Sequence, residues 1–327
     1  MQEMIDLFPL HLREKLDKSR VFEHGVEELR VRIGQPILVW TKYGEEYIPG
    51  LTHYRITKED MRQMVSFISK CSLYAFEEEI KKGYLTLEGG HRVGLGGQVV
   101  MDGNGVQTIR PITYLNIRIA HQVIGCASGL VRCIFLKRTP GNVLLMSAPG
   151  HGKTTMLRDM IRLLSDGFHG NVERQGGTDR VGTDVLSETA QLFSAFKVGI
   201  IDERSEIAGC HNGIPQNQIG VRSDVLDGCP KALGMMMMVR SMSPDYLAVD
   251  EIGSSVDLEA IQYAMNCGCG ILATIHCPNI EELQRKPFWR RTGFQQMFDY
   301  YVVLEKTDRG RSWSVFNRQL QLIEMSD

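Results

Sequence analysis

Asn142-Val-Leu-Leu-Met-Ser147-Ala-Pro-Gly-His-Gly-Lys153-Thr154-Thr155-Met-Leu-Arg-Asp-Met-Ile-Arg-Leu-Leu164 decides how this chain is read. A short apolar run enters a glycine loop, and an amphipathic run leaves it. Strand, loop and helix in that order are the context a phosphate-binding loop needs. Gly150 and Gly152 let backbone N–H groups turn inward around a phosphate without a Cβ clash. Lys153 is placed to reach β- and γ-phosphates, and Thr154 to offer a hydroxyl to Mg²⁺. The helix N-terminus adds a partial positive charge. Ser147, Ala148, Pro149, Gly150, His151, Gly152, Lys153, Thr154 and Thr155 are therefore the candidate nucleotide-binding residues. The usual motif opens with Gly where this chain has Ser147.

Downstream, Pro244-Asp-Tyr-Leu-Ala-Val-Asp-Glu-Ile-Gly253 reads as a buried strand ending in two carboxylates. Open α/β sheets bind ligands at that end of their strands. Asp250 is the candidate second Mg²⁺ ligand beside Thr154. Glu251 is the candidate base for an attacking water. Val198-Gly-Ile-Ile-Asp-Glu-Arg-Ser-Glu-Ile207 is a further buried strand ending in acids. Glu203 there is a second candidate base, with ion pairing to Arg204 as the plainer reading. Gly270-Ile-Leu-Ala-Thr-Ile-His276 ends in Thr274 and His276, where a polar side chain can sense a γ-phosphate. ATP and Mg²⁺ are the ligands these motifs call for.

Upstream of the loop, Glu28-Leu-Arg-Val-Arg-Ile33 alternates apolar and polar residues, and Gly34-Gln-Pro36 precedes a second strand from Ile37. Thr57 is a possible N-cap for a helix with Met61, Met64, Val65, Ile68 and Leu73 on one face. Tyr84–Leu87, His91–Leu95 and Gln98–Val100 read as short strands joined by glycine turns at Gly89-Gly90 and Gly96-Gly97. Asn116–Ala120 is the last strand before a junction near 120–128. After it, buried strands alternate with helices, the pattern of a parallel sheet. The expected architecture is α/β: a small N-terminal α/β domain over 1–122, then a RecA-like P-loop domain over 123–327 with a mostly parallel sheet. The polar, glycine-rich stretch near Asn171–Ala195 reads as a long exposed loop.

The chain has 327 residues, a net charge of −2 and eight cysteines. Near-neutral charge argues against a protein built to grip nucleic acid. No apolar run approaches the roughly 18 residues of a membrane span. The acidic N-terminus lacks the basic start of a signal peptide, so the expected location is the cytoplasm. Cys267, Cys269, His276 and Cys277 are spaced poorly for structural zinc and read as reduced core thiols. Gly234–Met242 is methionine-rich and reads as core. The basic, aromatic run from Asn279 to Arg291 reads as a solvated helix end, with partner docking as its alternative.

Ser147–Thr155, Val198–Gly209, Asp224–Ala232, Val239–Gly253 and Ala273–Cys277 together resemble the stage III sporulation protein AA family of endospore-forming bacteria. That family is similar to the type II and type IV secretion ATPases. The resemblance implies a Walker A motif at Ser147–Thr154, an Asp box at Ile201–Glu206, a Walker B motif at Leu247–Glu251 and a His box at Thr274–His276. It implies a homo-hexameric ATPase that energises a membrane-embedded transport complex between mother cell and forespore, held peripherally at the membrane by its partners. It also implies that two arginines of the N-terminal domain approach the γ-phosphate; Arg92 and Arg118 match their positions. Two other classes compete: a nucleic-acid translocase on the same core, and a nucleotide-gated scaffold without turnover. The Glu251 carboxylate speaks against the scaffold.

Overall fold

The computed structural model describes residues 2–41, 43–69, 76–81, 83–103, 105–136, 140–167, 169–171, 189–191, 195–287, 294–307 and 310–326. They form two compact units. One comprises 1–121 with 209–216, the other 122–208 with 217–327.

In the first unit, the helices α1 (Gln2–Ile5) and α2 (Leu10–Ser19) precede strands β1 (Val26–Arg32), β2 (Leu38–Thr41) and β3 (Gly44–Tyr47). Helices α3 (Lys58–Ile68) and α4 (Glu77–Lys81) follow, then β4 (Tyr84–Thr86), β5 (Arg92–Asp102) and β6 (Gly105–Arg118). The strands form one antiparallel sheet in the order β3-β2-β1-β6-β5-β4. Thr57 caps α3 as its sequence suggests. Its hydroxyl accepts the Asp60 N–H at 3.1 Å, and the Asp60 carboxylate accepts the Thr57 N–H at 2.8 Å. This reciprocal box fixes the start of the helix. Met61, Met64 and Ile68 are buried on one face and Val65 packs at the core's edge; Leu73 lies outside the described residues.

The region after Leu87 differs from the expected short strands. β5 is one continuous strand, and Gly96-Gly97 is a bulge within it, where the register against β6 shifts. A Cβ on Gly97 would lie 2.1 Å from the Pro111 carbonyl oxygen, so only glycine lets the two strands approach there. A glycine pair reads as a turn in sequence, but a bulge makes the same demand on the side chain.

In the second unit, α5 (Ser128–Val131) leads to β7 (Val143–Ser147), α6 (Lys153–Asp166) and a two-stranded ribbon of β8 (His169–Asn171) and β9 (Thr189–Gln191). The remainder of the expected long loop lies outside the described residues. Next come β10 (Val198–Asp202), β11 (Ser223–Asp227), α7 (Lys231–Met242), β12 (Tyr246–Val249), α8 (Ser255–Asn266) and β13 (Gly270–His276). The unit ends with α9 (Ile280–Arg285), α10 (Phe294–Met297), β14 (Tyr300–Thr307), β15 (Gly310–Asn317) and β16 (Leu322–Met325). The sheet order is β11-β10-β12-β13-β7-β14-β15-β16. Every pair from β11 to β14 is parallel, and only β15 and β16 run antiparallel.

β7, β10 and β12 are buried along their whole length and β13 along most of it, as strands with both faces covered must be. Each fully buried aliphatic side chain contributes roughly 1.5–3 kcal/mol, so the strands carrying the candidate residues are firmly held. The methionine-rich helix is only half core. Met235 and Met238 are buried, while Leu233, Met237 and Met242 are about half exposed. Cys269 and Cys277 are buried thiols, but Cys267 follows the end of α8 and is exposed. Among the described residues no helix is long and apolar enough to cross a membrane. Of the run from Asn279 to Arg291, residues 288–291 lie outside the described set.

Candidate active site

β7, β10, β12 and β13 are parallel, so their C-terminal ends meet at one edge of the sheet. Ser147 closes β7, Asp202 closes β10, Asp250 follows β12 and His276 closes β13. The register sets His276 opposite Ser147, and Val249 opposite Ala273. Chemistry-bearing residues distant in sequence thereby become neighbours.

The loop after Ser147 turns through Gly150 at φ 76° and Gly152 at φ 90°, the left-handed region that glycine enters without strain. Gly152 is the N-cap of α6. Lys153 is 5% exposed. Its ammonium donates to the Ser147 carbonyl at 3.2 Å, to Ser147 Oγ at 3.3 Å and to the Ala148 carbonyl at 3.3 Å. It also lies 2.9 Å from His276 Nδ1. The serine in place of the usual glycine thus gives the lysine an additional acceptor. Burial pushes the Lys153 ammonium below the ordinary lysine range, against the pull of Asp250 and Glu251. His151 is half-buried in the loop, and Thr155 lies in the first turn of α6.

Thr154 Oγ1 donates to Asp250 Oδ2 at 2.7 Å. Thr274, fully buried, donates its hydroxyl to the other Asp250 oxygen. The same hydroxyl accepts the Glu251 N–H at 2.8 Å, and the Thr274 carbonyl accepts the Ile252 N–H at 2.9 Å. Glu251 sits at φ 52°, a conformation rare for a non-glycine residue. Such strain persists only where surrounding bonds over-determine it, and Thr274 supplies two of them. The Glu251 carboxylate reaches His276 Nε2 at 2.6 Å through Oε1 and Arg204 at 3.4 Å through Oε2. An ammonium can only donate, so His276 Nδ1 is the acceptor from Lys153 and Nε2–H donates to Glu251. A single imidazole therefore connects the phosphate-loop lysine to the candidate base.

The Asp box does something different. Asp202, 2% exposed, accepts the N–H groups of Glu206, Ile207 and Ala208 at 2.8–3.0 Å. Burial raises its carboxyl pKa, and those three bonds oppose the rise. Arg158, from α6, donates to the Glu206 and Ile207 carbonyls at 2.5 Å each. The box is thus the clamp of a turn. Glu203 pairs with Lys231 at the start of α7, and Glu206 with Arg204 at 3.5 Å. Lys153, Thr154, Asp250, Glu251 and His276 are joined by hydrogen bonds, and Glu203 is held by another cation.

Arg92 and Arg118 belong to the first unit. Val93 and Ile117 are buried behind them, so each strand does turn its arginine to the opposite face. Arg92 lies over the Tyr84 ring, 3.8 Å from its centroid, and Arg118 is 3.5 Å from Glu28. Sequence reasoning offered Thr274 only as a phosphate sensor and missed its part in holding Asp250 and Glu251. A lone hydroxyl in an otherwise apolar buried strand is the signal that could have found it, since such a group must have partners. The role of Arg158 carried no sequence signal.

Among solved structures the chain resembles the ATPase DotB of Legionella pneumophila, with a TM-score of 0.59 and 13% identity over 95% of this chain and 81% of that one. It likewise resembles the pilus retraction motor PilT, crystallised with bound ADP, with a TM-score of 0.59 and 14% identity over 92% and 81%. At such identity the likeness concerns the fold alone, a RecA-like P-loop fold with a largely parallel sheet. In sequence, the stage III sporulation protein AA of Bacillus subtilis (strain 168) is 38% identical over 309 residues, 94% of this chain and 91% of that protein. The family described as sporulation stage III, protein AA, is matched over residues 1–323. The chain belongs to the stage III sporulation protein AA family.

Proposed function

We propose that this protein binds and hydrolyses ATP at the edge formed by β7, β12 and β13, and works as a homo-hexameric ring motor for a membrane-embedded transport complex between mother cell and forespore. The hydrogen-bonded series Lys153–His276–Glu251, beside Thr154 and Asp250, carries the reading. It joins a phosphate-binding cation, a candidate base and a cation-binding pair at one strand edge.

Backbone N–H groups of Gly150–Lys153 cradle the β-phosphate. Lys153 exchanges the Ser147 and Ala148 carbonyls for phosphate oxygens. The Thr154 hydroxyl and the Asp250 carboxylate are hard oxygen donors, the set that suits Mg²⁺, and these two residues would hold it. Bound there, Mg²⁺ would neutralise charge on the phosphates. Glu251 orients a water and takes its proton as the water oxygen bonds to the γ-phosphorus and the bond to ADP breaks. His276 keeps Glu251 Oε1 in place and, through Nδ1, registers where Lys153 points. Arg92 and Arg118 act on the γ-phosphate, a part of the proposal supported by their shared face and by the family resemblance.

Measuring ATPase rate against protein concentration, with Glu251→Gln alongside, tests this. Specific activity should rise until ring assembly saturates, and the Glu251→Gln protein should bind nucleotide without turnover. A flat dependence from a protein that stays monomeric with ATP would exclude the ring, and full hydrolysis by Glu251→Gln would exclude Glu251 as base.

A further inference from the structure

The phosphate loop has two flanks. On one, β13 and β12 bring His276, Thr274, Asp250 and Glu251 to the sheet edge. On the other, β14 pairs with β7, and β15 pairs with β14. Arg311, near the start of β15, reaches back to the loop from that second flank. A Cβ on Gly152 would lie 2.8 Å from the Arg311 Cζ and Nε and 3.1 Å from its Nη1, so the guanidinium rests against the loop backbone. Its charge also reaches the Cys126 thiol, which lies 3.8 Å from the Thr155 carbonyl. Arg311 is therefore on the Thr155 side of the loop, away from the Glu251 side.

This placement is unfavourable for the protein alone. A guanidinium beside the N-terminus of α6 meets the positive end of the helix, and the Lys153 ammonium is at the same loop. Among the described residues, Arg311 makes no side-chain hydrogen bond or ion pair. A cation held at a positive site with no carboxylate partner among the described residues suits a polyanion, and arginine binds phosphate oxygens through a planar fork.

We infer that Arg311 binds the α-phosphate of the nucleotide. The inference rests on the ATP-binding reading above. The γ-phosphate end belongs to the flank with Asp250, Glu251 and His276, and the loop N–H groups take the β-phosphate. The next phosphate toward the nucleoside then falls on the β14–β15 flank, where Arg311 is. The contact holds nucleoside di- and triphosphates alike and ignores the base.

Binding of ATP, ADP, GTP and inorganic pyrophosphate to the full chain tests it, with wild type, Arg311→Ala, Arg311→Lys and Lys153→Ala compared. Loss of one charge-assisted contact should weaken ATP, ADP and GTP by about tenfold or more, with pyrophosphate unchanged and Arg311→Lys in between. Arg311 is exposed at a hairpin, so the melting temperature should stay near wild type. Unchanged ADP affinity in Arg311→Ala overturns the inference. So does an equal loss for pyrophosphate, or a loss for ATP without one for GTP. If Lys153→Ala also binds ADP normally, the phosphate-loop reading itself fails; if Lys153→Ala loses ADP and Arg311→Ala keeps it, only the role of Arg311 fails.

Discussion

Arg92 and Arg118 lie directly opposite one another across the β5–β6 ladder. Like charges in that position repel, and Glu28, shared between Arg118 and Arg30, offsets part of the repulsion. Arg118 is 64% exposed, so its ion pair contributes little to stability. Arg118→Ala should therefore leave the melting temperature and ADP affinity near wild type. An arginine acting on the γ-phosphate can be worth roughly 10³–10⁵ in turnover, and kcat should fall steeply. A melting temperature lowered by several degrees with normal turnover would make Arg118 structural.

The buried Lys153 sets function against stability. Its ammonium is harder to keep charged in the folded chain than in the unfolded one. In the alkaline range between the depressed value and the ordinary lysine value, the unfolded chain binds more protons, so stability rises with pH there. Lys153→Met keeps the volume, removes the buried charge and should erase that rise. Near neutral pH the nucleotide-free variant should melt about 2 °C or more above wild type, and it should show no shift on adding ATP. Thermal melts with and without nucleotide check both; a lower melting temperature together with an intact ATP shift would contradict the assignment.

Thr274 joins the two carboxylate residues of the strand end. Thr274→Val preserves shape but leaves the Glu251 N–H and one Asp250 oxygen without their partner. A buried group left so costs about 1–3 kcal/mol, and Glu251 loses one of the two Thr274 bonds that hold its left-handed conformation. Melting temperature and turnover should fall together, and Thr274→Ser should restore most of both. Normal kcat in the valine variant would show that Glu251 is positioned by other contacts.

What was legible in sequence followed from local chemistry. Strand, glycine loop and helix at 143–166 could be read because each is dictated by neighbours in the chain. β12 and β13 could be read because a strand buried on both faces is a continuous apolar run. The Gly96-Gly97 bulge was not legible, since its demand comes from Pro111 on another strand. Residues 209–216 carry no mark of belonging with 1–121. His211 there is tied to the Thr86 carbonyl at 3.0 Å, and Gln216 accepts the Gly89 N–H at 2.9 Å; both bonds span more than 120 residues of chain. Arg311 was missed for the same reason: nothing near it in sequence refers to Gly152.

On sequence grounds Glu251 is the candidate base and Glu203 the second candidate, each an acid just beyond a buried strand. Their surroundings separate them. Glu203 is paired with Lys231, and its neighbour Asp202 is committed to three backbone N–H groups. Glu251 is joined through His276 to the lysine of the phosphate loop and lies one residue from the candidate Mg²⁺ ligand Asp250. A base must be within hydrogen-bond reach of the water it deprotonates, and of the two only Glu251 is joined by hydrogen bonds to Lys153. Glu251→Gln should therefore bind ATP and lose about 10²–10⁴ in turnover. Glu203→Gln should keep turnover within about threefold of wild type, its effect limited to one partly exposed ion pair. Single-turnover hydrolysis with matched ATP occupancy distinguishes the two. If Glu203→Gln instead loses turnover on the scale expected for Glu251→Gln while its melting temperature holds, Glu203 leaves Lys231 when nucleotide binds, and the base must be reassigned to the strand end of β10.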